Sequence, residues 1–225
     1  MSTYRIENCA GSAESARRAE LGGAYRVELC AGLPEGGTTP SYGEILTARR
    51  AISIKLNVII RPRSGDFLYT PIEVEAMLAD IRMARELGAD GIVVGCLTAD
   101  GAVDKPLLRR FVEAAEGLPV TFHRAIDVCQ DRAQALEDII EAGCARVLTS
   151  GGAASAPEGA DAIAALVKQA ADRIIIMPGA GVTPENVADL ARKTGAREFH
   201  FSGRTAEPSP MRYRHEGVSM GGTVT

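Results

Sequence analysis

The sequence predicts an α/β fold in which eight parallel strands, alternating with helices, close into a (β/α)8 barrel. Three observations predict it. Short apolar runs alternate with segments of helical period along the chain. The junctions carry recurrent helix starts and stops. Eight such runs in 225 residues also come close to the roughly 250 residues of a TIM barrel. An open doubly wound sheet is the alternative, and eight parallel strands in sequential order speak against it.

The elements follow in order. Arg5–Cys9 is the first apolar run and Arg26–Leu29 the second, entered through the stretch LGGAYRVEL, where a glycine stops the preceding helix. Leu56–Ile60 is the third. The helix after it is announced by Thr70-Pro71-Ile72-Glu73: a capping Thr, a Pro at the first helical position and a Glu that completes a capping box. Its apolar stripe is Val74, Met77, Leu78, Ile81, Ala84 and Leu87. LGADGIVVG stops it and opens the fourth run, Gly91–Val94. Val120–His123 is the fifth, and Asp131 with Gln134 forms a weaker helix start after it. AGCARVLTS leads into the sixth, Arg146–Thr149. Arg173–Met177 is the seventh, followed by a helix start at Thr183-Pro184, and TGAREFHFS enters the eighth, Glu198–Phe201. The order is four β-α-β-α units. Strands that read as continuous apolar runs belong to a parallel sheet covered on its faces. From Pro208 onward glycines and prolines replace helical periodicity. The expectation is a single domain, residues 1–225, lacking the final closing helix and ending in an irregular tail from about residue 205.

Bulk properties exclude several partners. With net charge −4, a pI near 5.5 and no long basic run, nucleic acid and anionic membrane surfaces are not expected. The longest apolar runs fall far short of a membrane span, and the first twenty residues lack the continuous apolar core of a secretory signal. Five scattered cysteines suggest a reducing cytoplasm. No organic cofactor motif is evident.

In a barrel of this kind the site lies at the C-terminal ends of the strands, and ionisable residues gather there. Strand alternation puts Glu7 with Cys9, Glu28 with Cys30, Asn57 with Arg61, and Glu198 with His200 and Ser202 on shared faces. With the polar faces inward, Glu7, Glu28, Arg61, His123 and His200 would ring one pocket, a candidate catalytic set for acid–base work on an anionic substrate. The opposite strand ends carry chiefly Arg or Lys, read as solvated. Three glycine turns, TSGG, GAGV and SGR, end the last three strands. They nominate Ser150, Gly151, Gly152, Gly179, Gly181, Ser202 and Gly203 as anion-binding residues, because glycine lets backbone N–H groups approach an anion near helix starts. Cys9 and Cys30 end adjacent strands about 4.8 Å apart, close enough to share a soft ion such as Cu(I) rather than Mg²⁺ or Ca²⁺. Two small buried cysteines are the other reading of that pair.

The stretches RVELCAGLPEGGTTPSYGEI, NVIIRPRSGDFLYT, GADGIVVGCLTADGAVD, PVTFHRAIDV, CARVLTSGGAASAPEG, IIIMPGAGVTPENV and EFHFSGR resemble the CutC copper homeostasis family over nearly the whole chain. The resemblance implies a cytoplasmic barrel protein that forms homo-oligomers, is associated with copper tolerance and binds Cu(I), with Cys9 and Cys30 at the ligand positions. Two functions therefore stand side by side: a cytosolic copper-binding protein, and an enzyme acting on a small anionic or phosphorylated metabolite by acid–base chemistry.

Overall fold

The computed structural model describes residues 4–205, 208–213, 215 and 217. Eight strands form one parallel sheet: β1 (Arg5–Ala10), β2 (Arg26–Leu29), β3 (Lys55–Ile59), β4 (Gly91–Val94), β5 (Val120–Phe122), β6 (Arg146–Thr149), β7 (Ile175–Pro178) and β8 (Glu198–Phe201). Their order is β7-β6-β5-β4-β3-β2-β1-β8, with β7 and β8 lying against each other, so the sheet curls into a nearly closed barrel. Seven helices cover it: α1 (Ala13–Leu21), α2 (Tyr42–Ala51), α3 (Pro71–Glu86), α4 (Lys105–Ala114), α5 (Arg132–Glu141), α6 (Ala160–Ala170) and α7 (Val187–Thr194). Among the described residues no helix follows β8. Among the described residues the fold is a TIM barrel with seven of the usual eight helices.

Local chemistry accounts for the helix ends. Thr70 and Glu73 form the reciprocal capping box expected at α3. Ser12, Ser41, Asp104 and Asp131 cap α1, α2, α4 and α5 through their side-chain oxygens. α7 begins later than the Thr183-Pro184 pair suggests. Asn186 accepts from the Thr183 amide and donates to the Gly181 carbonyl, which holds residues 183–186 in a turn. β7 also starts later than its apolar run, because Ala171 and Asp172 both take the left-handed conformation, at φ 47° and 62°.

Strand alternation divides the core in two. Val27, Leu29, Leu56, Val58, Ile60, Ile92, Val94, Phe122 and Phe199 pack outward with helix residues such as Met77, Ile81 and Phe111. The alternate residues point into the barrel, where a small apolar cluster of Cys9, Cys30, Ile59 and Val93 sits among polar side chains.

Candidate functional site at the barrel mouth

The barrel interior is built in layers, and the lower one is ionic. Register places Glu7 beside Arg26, and the Arg26 guanidinium pairs with Glu7 on one side and Glu198 on the other. Arg146 donates to Glu198 at 2.7 Å and to Thr121 at 3.2 Å, and Asn57 donates to Glu7 at 3.3 Å. Arg26 and Arg146 are therefore not the solvated strand-start cations the sequence suggests. They are buried and compensated inside the barrel, whereas Lys55 and Arg173 stay half-exposed at the rim.

Above this layer lies a cavity of about 440 Å³ at the C-terminal mouth. Glu28, Arg61, His123 and His200 line it together with Cys9 and Cys30. Glu7 does not. It sits one layer down and reaches the cavity through His200, whose Nδ1 lies 2.8 Å from Glu7 Oε1 and whose Nε2 lies 3.7 Å from Glu28 Oε2. The two cysteines are free thiols with their Sγ atoms 3.8 Å apart.

This packing sorts the protons. Burial raises the Glu7 pKa, but the His200 hydrogen bond and the Arg26 charge outweigh it and bring the group down to about 2. Burial also opposes charge on His200, yet its bonds to Cys9 and Glu7 raise its pKa well above the usual imidazole value. The S–H of Cys30, followed by the His200 imidazole, brings Cys9 down to about 5 against the cost of burial. Cys30, as donor to Cys9 and itself buried, is raised. Burial, then the neighbouring Cys9 and Glu7 charges, raise Glu28 to about 8, although His200 pulls it down. At neutral pH the site holds a Cys9 thiolate, a Cys30 thiol, a His200 imidazolium on the Glu7 carboxylate, and a neutral Glu28.

The opposite wall is formed by Arg61, Phe67 and His123. The Arg61 guanidinium lies 5.1 Å from the Phe67 ring centre and the His123 ring 4.9 Å from it. Burial, then the Arg61 charge, depress the His123 pKa to about 3, so its ring is neutral. Gly95 makes room for that ring: a Cβ there would overlap it.

The glycine turns divide. The amides of Ser150 and Gly152 donate to the Asp127 carboxylate, at 2.9 and 3.0 Å for their closer oxygens. Gly151 donates to the Thr149 hydroxyl at 2.8 Å and Gly179 to the Thr149 carbonyl at 3.0 Å. The anion expected at the sixth strand end is thus met by Asp127, an acceptor within the chain. Gly181 and Ser202 line the cavity, and Gly203 lies in the adjoining groove beside α1. Sequence reasoning passed over Phe67 and Arg204, which also line the mouth. Arg204 is the arginine of the SGR turn at the end of β8, and that place in the motif was its available signal.

A model of the CutC family matches residues 4–205. The chain belongs to the CutC family. A CutC family protein of Bacteroides thetaiotaomicron is 58% identical over 225 residues, covering 100% of this chain and 90% of that one. A mouse protein named copper homeostasis protein cutC homolog is 49% identical over 221 residues, covering 98% of this chain and 81% of its own. Among solved structures, one described as the copper homeostasis protein CutC of Streptococcus agalactiae superposes with a TM-score of 0.85 at 36% identity, covering 89% of this chain and 99% of that one.

In this CutC barrel, two groups of side chains have metal-ligand geometry. The donor atoms of Cys9, Glu28 and Cys30 lie within 4.8 Å of one another, as do those of Glu7, Glu28 and His200. Two metal–sulfur bonds of about 2.3 Å spanning the cysteine pair would meet at roughly 110°, leaving room for a third ligand such as Glu28. Arg26 and His200 already engage Glu7 in the second group, so the thiol pair is the more available. No helix among the described residues is long and apolar enough to cross a membrane.

Proposed function

We propose that this CutC chain binds Cu(I) through Cys9 and Cys30 at the barrel mouth, as a cytoplasmic copper homeostasis protein. The carrying observation is the 3.8 Å separation of two free thiols on adjacent strands. Soft thiolates select Cu(I) over hard cations, and one of the pair is already ionised at neutral pH. Binding then requires only the Cys30 proton to leave. The test is anaerobic competition against a Cu(I) chelator. Cys9→Ser and Cys30→Ser each abolish stoichiometric binding on this reading, and His123→Ala leaves it intact; unchanged affinity in the double cysteine variant overturns it. Homo-oligomerisation belongs to the same proposal and is checked by light scattering, where a monomer at micromolar concentration counts against it.

A second reading is favoured by the His200–Glu7 pair and the Arg61–His123 wall, which a metal carrier does not require. It is an enzyme acting by acid–base chemistry on a small anionic or phosphorylated metabolite. A metabolite-binding screen read by thermal shift, with Cu(I) as control, tests it; no stabilising metabolite and a response to Cu(I) alone would remove it.

A further inference from the structure

We infer that Arg61 and His123 form a subsite for the carboxylate of a small organic acid, on the wall of the mouth opposite the cysteine pair. The inference rests on the second reading, that the mouth takes a small anion, and names the group recognised and the residues that hold it.

Arg61 is buried, at 6% exposure, and has no carboxylate partner within ion-pair distance among the described residues. Three backbone carbonyls clamp its terminal nitrogens: Glu35 and Gly37 at 3.2 and 3.0 Å on Nη1, and Gly65 at 2.9 Å on Nη2. They fix its position but leave its charge uncompensated, and its Nε–H has no protein acceptor. A buried cation without a counter-charge is costly, and an anion beside it removes that cost.

His123 supplies the second donor. It is 5% exposed, and its Nδ1 accepts from the Ala125 amide at 3.2 Å. In the neutral ring the proton therefore sits on Nε2, which has no protein partner. Buried donors are left unpaired rarely, and each costs about 1–3 kcal/mol. Two of them stand on residues that line one cavity, and both of those side chains lie against the Phe67 ring.

Two single N–H donors and one positive charge match the two oxygens and one charge of a carboxylate. A phosphate would call on the backbone amides of the glycine turns, and those of Ser150, Gly151, Gly152 and Gly179 are engaged by acceptors of the chain itself. Leu33, Ile59, Leu148 and Val182 give the rest of the cavity apolar walls for a short carbon skeleton.

Ligand-observed NMR of the intact protein with millimolar pyruvate, glycerate and succinate, and with inorganic phosphate as a separate arm, tests the subsite. Saturable binding of at least one of the carboxylates, with phosphate silent, is expected. His123→Phe keeps a ring against Phe67 while removing the donor, and should weaken that binding about tenfold or more. Arg61→Lys keeps a charge but loses the Nε–H and provides a second variant. Phosphate binding with all carboxylates silent, or equal carboxylate binding in His123→Phe and Arg61→Lys, overturns the subsite while the second reading stands. Absence of binding in every arm overturns both.

Discussion

The imidazole of His200 donates from Nδ1 to Glu7 Oε1 at 2.8 Å, and this bond joins the two layers of the barrel. Below it, Glu7 is held by Arg26, which also pairs with Glu198. Above it, the same imidazole faces the Cys9–Cys30 pair and Glu28. A charge fixed deep in the barrel thereby adds, through His200, to the Cys30 hydrogen bond that lowers the Cys9 thiol at its mouth.

Cys9 should be the first cysteine to react with iodoacetamide at pH 6.5. Its pKa is lowered to about 5, whereas burial raises Cys129 to about 11 and Cys144 to about 12, and raises Cys96 and Cys30 as well. The thiolate is the reacting species. Glu7→Gln removes the carboxylate that keeps His200 charged, so the inflection of the rate–pH profile should move up by about one unit or more. Peptide mass spectrometry of the modified site reads both results; an unshifted inflection would break the link between Glu7 and Cys9.

Glu28 imposes a pH-dependent penalty. Its folded pKa of about 8 stands above the ordinary 4.5. A carboxyl raised in this way contributes stability that is full below the unfolded value and is lost as pH climbs toward the folded one. Glu28→Gln removes that loss. Relative to the parent, the variant should gain roughly 2–4 kcal/mol between pH 5 and pH 8. Urea denaturation at the two pH values checks it, and a constant difference between the chains would contradict the assignment.

The strands were legible because parallel strands buried on both faces read as uninterrupted apolar runs, and Arg26–Leu29, Gly91–Val94, Arg146–Thr149 and Glu198–Phe201 have the limits expected of them. Period-two alternation from the strand ends was enough to put Glu28, Arg61, His123 and His200 on one cavity, but it set Glu7 there too, and Glu7 lies one layer down. Two features escaped it. Arg26 reads as a solvated strand start because its counter-charges, Glu7 and Glu198, lie on other strands and only register brings them together. Asp127 lies in a 3-10 turn, residues Arg124–Val128, where no strand period says which way a side chain points, so its capture of the TSGG amides could not be read.

The lower ionic layer should behave as a buried network. Arg26→Met takes from Glu7 and Glu198 the cation they share, leaving Glu7 with His200 and Glu198 with Arg146, and breaking a buried pair from one side costs about 3–5 kcal/mol. Arg173→Met, which breaks the half-exposed pair with Glu137, should cost under about 1 kcal/mol. Denaturation midpoints of the two variants make the comparison. Similar losses would mean that the interior charges are solvated after all.

Asp127 occupies the turn that the sequence offers to an anion. Its carboxylate accepts from the Ser150 and Gly152 amides, from the Thr149 and Ser150 hydroxyls, and from Arg124 at 2.8 Å. Asp127→Ala leaves the buried Ser150 amide without that acceptor, at a cost of about 1–3 kcal/mol. It also leaves a cationic, N–H-lined recess of the kind that holds oxyanions. Inorganic phosphate at tens of millimolar should then raise the melting temperature of the variant while leaving the parent nearly unmoved, since a ligand stabilises only the chain that offers it a site. Thermal unfolding of both proteins with and without phosphate, at matched ionic strength, measures the difference. An equal response in the two would show that any anion effect lies elsewhere, and no response in the variant would show that the turn collapses once its own carboxylate is gone.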